Sequence, residues 1–301
     1  MTNILCNRID FILLKIRTFL IKIFTYLAYR KKQERKRRYK QLRYNAEIKY
    51  LQRYTYALDN AATAALQPVP KIIWSCWWQG EENLPPVVKR CFESVHKYCP
   101  DYEFRLITEN NLHQYIDFPD YIWKKYRKGI ISRTLLSDLL RIGLLSRYGG
   151  IWLDATVYLT APLPPKITET SFFAFHCREI YQFQSWFLKS APNDIILSNL
   201  QKLFLEYFKH ENRLLNYFFT YLAFDVVVSQ QRACAEQWQN TPTIVDTFCY
   251  DLADNFFAPY SAAKWKQIKS ATTVHKLSWK YRQTPNDDSF LNYLLRGELG
   301  A

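Results

Sequence analysis

Residues 71–78, KIIWSCWW, form an unbroken apolar run that stops just before Gly80, the pattern of a strand buried on both faces. LPPVVKRCFESVHKYCP (84–100) follows. It opens on prolines, places Val88, Cys91 and Val95 along one helical face, and stops at Pro100. YEFRLIT (102–108) then alternates and is rich in β-formers. Strand, helix and strand in close succession predict an α/β fold. SRTLLSDLLRIGLLSRYGG (132–150) has helical period and a Gly149-Gly150 stop. IWLDATVYLT (151–160) alternates strictly and predicts one strand. Ile151, Leu153, Ala155, Val157 and Leu159 share one face, and Trp152, Asp154, Thr156, Tyr158 and Thr160 share the other. APLPP ends it. Residues 194–231 read as largely helical, and LLNYFFTYLAFDVVV (214–228) is too short and too polar to span a bilayer, so it predicts a buried core helix. Lys264–Ala301 form a tail carrying VHKLSWKY and TPNDDSF.

The amino-terminal part has a different pattern. IDFILLKIRTFLIKIFTYLA (9–28) is long enough to cross a bilayer, but Asp10, Lys15, Arg17 and Lys22 lie inside it. A charge near mid-span costs roughly 2.5–3.5 kcal/mol. Arg8, Lys15, Lys22 and Tyr29 recur every seven residues and form a polar stripe against Ile, Leu and Phe, which describes a helix lying in the membrane interface. The lysines interrupt the run and no small-residue cleavage site follows, so a signal peptide fits less well. RKKQERKRRYKQLR (30–43) continues it with a basic run, each residue adding about 1 kcal/mol near anionic lipid. Residues 44–60 look helical, and AATAALQPVP (61–70) reads as a linker. The boundaries drawn are a basic arm at 1–55, a linker at 56–70 and one large domain at 71–301.

Charge sharpens this division. Of the 301 residues, the first 55 hold fifteen Lys/Arg and three Asp/Glu, leaving 26 and 24 in the remainder. The protein is thus a nearly neutral domain with a basic arm, which points to a membrane surface or, less well, to a nucleic acid. A solvated or coiled-coil arm is the plainer reading. Cysteines 6, 76, 91, 99, 177, 234 and 249 make no CxxC pair, so zinc-ligand spacing is absent, and reduced, mostly buried thiols are expected.

Candidate chemistry concentrates in residues 137–156. Asp138 and Arg141 lie three apart on one helix and share a face. Asp154 shares a strand face with Trp152 and can meet that pair. A surface ion pair beside a strand-end aspartate is the bland alternative.

Here a family resemblance enters. LLSDLLRIGLLSRYGGIWLDATV (135–157) resembles the DXD region of GT-A glycosyltransferases of the yeast mannosyltransferase and clostridial toxin group. With KIIWSCWWQGEENLPPVVKRC (71–91) and HKLSWKY (275–281), the chain resembles still more closely the bacterial capsular polysaccharide synthesis proteins over about residues 70–290. The resemblance implies a GT-A-like (Rossmann-like) α/β/α sandwich with a mixed central sheet. It implies a membrane-associated enzyme of the inner cytoplasmic face that moves a sugar from a nucleotide-diphosphate sugar, UDP-sugar by expectation, to a saccharide or polyprenyl-diphosphate-linked acceptor, with retention.

Carried over by position, Asp138 and Asp154 would be catalytic. Asp138 would bond donor sugar hydroxyls, and Arg141 would sit beside sugar and diphosphate. Trp152 would pack near the scissile bond. Trp77, Trp78, Gln79, Ser137 and Gly150 would complete the donor site, with His275 and Lys276 on the diphosphate. The second DXD aspartate is replaced by Thr156. A hydroxyl is a poor lone substitute on Mg²⁺ or Mn²⁺. Either Asp154 holds the ion, with Thr156 and Asp288 as further candidates, or cations such as Arg141 and Lys276 replace it. A catalytically inactive GT-A-fold scaffold remains a second functional reading, and a nucleic-acid binder using the arm a third.

The other polar candidates read as structural: Asp287 or Asp288 as a helix N-cap, His96, His113 and His210 as surface residues, and His176 beside Cys177 as no dyad. Glu81 and Glu82 read as a solvated loop, and Lys124, Lys125, Arg127 and Lys128 as a solvated helix face.

Overall fold

The computed structural model describes residues 29–59, 67–177, 180–281 and 283–299. The interfacial-helix stretch 9–28 lies outside them, as does most of the 61–70 linker. The chain divides into two compact units between Tyr50 and Leu51. In the first, residues 29–50 are helical, and every side chain from 29 to 42 is exposed, the basic run included. The division falls ahead of the boundary drawn at 55. Gln52–Ala57 is a 3₁₀ turn of the second unit, where the Tyr54 ring packs edge-on against Tyr207 at 5.5 Å. Among the described residues, no helix is long and apolar enough to cross a membrane.

The second unit is built on a five-stranded mixed sheet. β1 (Ile72–Cys76) pairs in parallel with β2 (Glu103–Ile107) on one side and β3 (Gly150–Leu153) on the other. β4 (Val157–Leu159) leaves this sheet. β5 (Phe172–His176) and β6 (Phe183–Ser190) complete it, giving the order β2-β1-β3-β6-β5 with antiparallel pairing at β3–β6 and β6–β5. β7 (Val274–Lys276) pairs antiparallel with β4 in a second, two-stranded sheet. The mixed sheet and its helices agree with the GT-A-like α/β/α arrangement expected from sequence.

Apolar residues of one sheet face fill this core. Ile73, Ile151, Leu153, Phe173, Phe175 and Phe187 cluster with Val157 and Leu159 from the small sheet. The Pro86–Tyr98 helix starts on proline, which fits N1 because the missing N–H has no partner there anyway. The Arg133–Tyr148 helix is capped by Ser132 Oγ, which accepts from the Leu135 amide, and ends at Gly149 with φ 66°. The expected apolar helix forms over Phe219–Gln230, and its Asp225 accepts from the Gln182 amide at 3.2 Å.

Three expectations are corrected. The strand expected over 151–160 is two strands, because a turn at 154–157, closed by the Val157 amide on the Asp154 carbonyl at 2.9 Å, carries the chain from the large sheet to the small one. Lys125 is buried rather than solvated. Its ammonium donates to the carbonyls of Phe208 and Glu211, satisfying the acceptors left at the end of the Ile195–His210 helix. The cap in TPNDDSF is Ser289, accepting from the Asn292 amide, whereas Asp287 and Asp288 are exposed. As expected, His96, His113 and His210 are exposed, and the six described cysteines are free thiols.

Candidate active site

β1 connects onward to β2 on one side while β3 enters on the other. Such a reversal opens a crevice at the carboxyl ends of the two parallel strands. A cavity of about 480 Å³ lies there. Its walls include Cys76, Trp77, Trp78 and Gln79 at the end of β1 and beyond, Trp152, Asp154, Ala155 and Thr156 at the end of β3, Ser137 and Arg141 from the Arg133–Tyr148 helix, and Lys276–Lys280 at the end of β7 and beyond.

Arg141 is the hub. Its Nη2 lies 3.1 Å from Asp138 Oδ1 and 3.3 Å from Asp154 Oδ1, its Nη1 donates to the Ser185 carbonyl at 2.7 Å, and its guanidinium lies 5.1 Å from the Trp152 ring centre. Asp138 Oδ2 accepts from Thr220 Oγ1 at 2.7 Å. Asp154 Oδ1 also accepts from Trp152 Nε1 at 2.9 Å, and Oδ2 from Lys276 Nζ at 2.8 Å. Lys276 Nζ donates as well to Thr156 Oγ1 at 2.7 Å. Trp78 Nε1 donates to Ser137 Oγ at 2.9 Å, fixing one wall.

Electrostatics push the two carboxylates apart. Burial raises the Asp138 pKa, and Arg141 and the Thr220 hydroxyl only partly offset it. Burial opposes ionisation of Asp154 too, but Arg141, Lys276 and the Trp152 bond outweigh it, so its pKa falls below the usual range. Asp154 is the permanent anion of the site. Burial pushes the Cys76 thiol up to about 12, which rules it out as a thiolate nucleophile near neutral pH.

Most residues singled out from sequence line the crevice, namely Trp77, Trp78, Gln79, Ser137, Arg141, Trp152, Asp154, Thr156 and Lys276, and Asp138 is outside the lining but ion-paired to Arg141. Three others do neither. Gly150 (φ 103°) is buried in β3, where an added Cβ would stand 2.6 Å from the Ile72 carbonyl, so close strand packing accounts for it. His275 is fully buried beside Thr160 and Trp265, because alternation along β7 turns it away from the face of Lys276. Asp288 is exposed and outside the lining. Glu81 and Glu82 border a separate depression with Phe92 and Phe104. Thr220, Ser185, Tyr217 and Trp279 were not singled out. Of these only Trp279 carried a signal, the HKLSWKY block. It meets Trp77 edge-on at 5.4 Å.

Comparison with known proteins gives this constellation a family. A family model described as capsular polysaccharide synthesis protein matches residues 18–294, and the chain belongs to that family. It is 33% identical over 98 residues to an O-glycosyltransferase, braB, of Annulohypoxylon truncatum, covering 30% of this chain and 23% of that protein. It is 24% identical over 247 residues to inositol phosphoceramide mannosyltransferase 3 of Schizosaccharomyces pombe, covering 74% of this chain and 62% of that one. The chain thus spans less than two thirds of either relative's length. Among solved structures, the PaToxG glycosyltransferase superposes with a TM-score of 0.38 at 16% identity, over 76% of this chain and 94% of that one.

The donor set fits a divalent cation poorly. Both Asp154 oxygens and the Thr156 hydroxyl already accept from Trp152, Arg141 or Lys276. Asp138 is tied to Arg141 and Thr220. Among the described residues no three His, Cys, Asp or Glu side chains gather as a metal site. Mg²⁺ and Mn²⁺ favour charged oxygen ligands, and here the Lys276 ammonium already lies against Asp154 and Thr156, two of the candidate ligands.

Proposed function

We propose that the protein is a glycosyltransferase that takes a sugar from a nucleoside-diphosphate sugar and adds it to a membrane-borne saccharide or polyprenyl-diphosphate-linked acceptor in surface polysaccharide synthesis. One observation supports this above the rest. In a member of the capsular polysaccharide synthesis family, Arg141, Asp154 and Lys276 converge on one crevice at the carboxyl ends of parallel strands, and Asp138 is ion-paired to Arg141.

The chemistry suits that arrangement. The bond between anomeric carbon and diphosphate oxygen breaks with its electron pair leaving on the diphosphate. The acceptor hydroxyl oxygen bonds to the same carbon, and its proton leaves to the released diphosphate or to solvent. Positive side chains fixed in place stabilise the departing anion without reorganising. An ionised carboxylate such as Asp154 stabilises positive charge developing on the sugar, as in glycoside hydrolysis. The faces of Trp77, Trp279 and Tyr217, which line the crevice, offer stacking surfaces for base or sugar. The basic arm would hold the enzyme at the inner face of the cell membrane, where an acceptor of that kind lies.

A thermal-shift panel of nucleotide sugars tests the reading. A donor present at about 100 times its Kd stabilises by about 2.7 kcal/mol, so one base and sugar should raise Tm by several degrees. With that donor, Asp154→Asn should lower transfer by about 100-fold or more. Absence of a shift with every donor, in folded protein, would refute the proposal.

A further inference from the structure

The cationic side of the crevice departs from what a metal-dependent diphosphate site requires. Lys276 is placed from two directions: β7 pairs with β4, setting Lys276 opposite Val157, and the Leu277 amide donates to the Thr156 carbonyl at 2.8 Å. Its side chain is mostly buried, lines the cavity and reaches Asp154 Oδ2 and Thr156 Oγ1 at 2.8 and 2.7 Å. These are the two positions at which a DXD pair would present its carboxylates. An ion placed against Asp154 and Thr156 would have to displace that ammonium or stand beside it, like charge against like. Arg133, Arg141 and Lys280 share the lining, with Asp154 its single carboxylate among the described residues. This lining suits a polyanion rather than a divalent cation.

We propose that the crevice binds the diphosphate of its donor without a divalent cation, and that Lys276, braced by Asp154 and Thr156, supplies the positive charge to the phosphate oxygens. This rests on the glycosyltransferase reading and deepens it. Thr156 is then the ammonium's hydrogen-bond partner, and no second carboxylate is needed at that position to hold a metal. The proposal makes Lys276 a binding residue for the leaving group, and Asp154 the residue that orients it.

Titration of the full chain with uridine, guanosine, adenosine and cytidine diphosphates, in EDTA and in Mn²⁺, tests it by calorimetry. At least one diphosphate should bind in EDTA with a Kd within about threefold of its value in Mn²⁺. Lys276→Met should weaken that diphosphate at least about tenfold in EDTA and leave the affinity for the parent nucleoside unchanged, since only the charge-assisted contact is lost. Lys276→Arg should recover most of the loss. Binding at least tenfold tighter in Mn²⁺ than in EDTA would overturn the proposal while leaving the glycosyltransferase reading standing, and this comparison uses the unmodified protein. Wild-type diphosphate affinity in a folded Lys276→Met would overturn it too. Failure of every diphosphate to bind with or without metal would sink both.

Discussion

Arg141 holds two carboxylates with one guanidinium, and the stability of the site depends on that sharing. Among the described residues, Asp138 keeps only the Thr220 hydroxyl when Arg141 is removed, whereas Asp154 keeps Lys276 and Trp152. Breaking a buried pair by deleting one partner costs about 3–5 kcal/mol, because a charge is left uncompensated. Arg141→Met should therefore lower the unfolding free energy by about 3 kcal/mol or more in urea titrations at neutral pH. Asp138, already driven towards its neutral form by burial, can shed the penalty by binding a proton, so the deficit should shrink on acidification. A loss below about 1 kcal/mol would mean that solvent reaches Asp138 or that it is already protonated at neutral pH. The pairing of Asp138 with Arg141 was legible from their spacing of three on a helix, and that of Trp152 with Asp154 from their spacing of two on a strand. Lys276 meeting Asp154 was not legible, since the contact spans 122 residues and depends on the register of a two-stranded sheet. Only the family resemblance placed Lys276 near the diphosphate.

At the scale of the element, β7 shows what alternation along three residues does. Lys276 reaches the crevice and His275 enters the core, where its Nε2 lies 3.3 Å from Thr160 Oγ1. Burial penalises the imidazolium and lowers the His275 pKa from 6.5 to about 4. Between those values the unfolded chain takes up a proton that the folded chain resists. The stability due to neutral His275 is therefore fully present above pH 6.5 and is lost as the pH falls towards 4. Between about pH 7 and 4.5 the loss is about 2 kcal/mol. His275→Gln cannot titrate there, so its unfolding free energy should fall by about 2 kcal/mol less than wild type over the same interval. Equal pH dependence in the two proteins would place His275 in contact with water. The sequence carried the elements themselves well: β1, β2 and the Pro86–Tyr98 and Arg133–Tyr148 helices stand where apolar period, prolines and glycines put them. It failed at 151–160 because strict alternation continues through the turn, and the switch between sheets is made by long-range bonds such as Leu277 to Thr156.

The whole molecule joins two units of different physical character, and the difference predicts a separable function. Residues 31–40 include seven basic side chains and one acidic, all exposed on a helix. The chain beyond residue 55 is nearly balanced, with 26 Lys/Arg against 24 Asp/Glu. Attraction to an anionic bilayer, at about 1 kcal/mol per basic residue near the surface, should therefore reside in the first unit. Among the described residues, the side chains that line the crevice belong to the second. A chain of residues 51–301 contains its own sheet and core, so it should fold with a cooperative transition and bind the same nucleoside diphosphate as the full chain. The full chain should sediment with vesicles containing phosphatidylglycerol and be partly released as salt shortens the Debye length from about 10 Å at 0.1 M towards 3 Å at 1 M. The 51–301 chain should stay in the supernatant. Neutral vesicles separate the two parts of the arm's attraction: sedimentation with them would come from apolar insertion and would resist salt. Equal sedimentation of both chains would locate the membrane contact on the second unit itself, and the exposed aromatics Tyr217, Phe218 and Trp279 near the crevice would then be the surface to mutate.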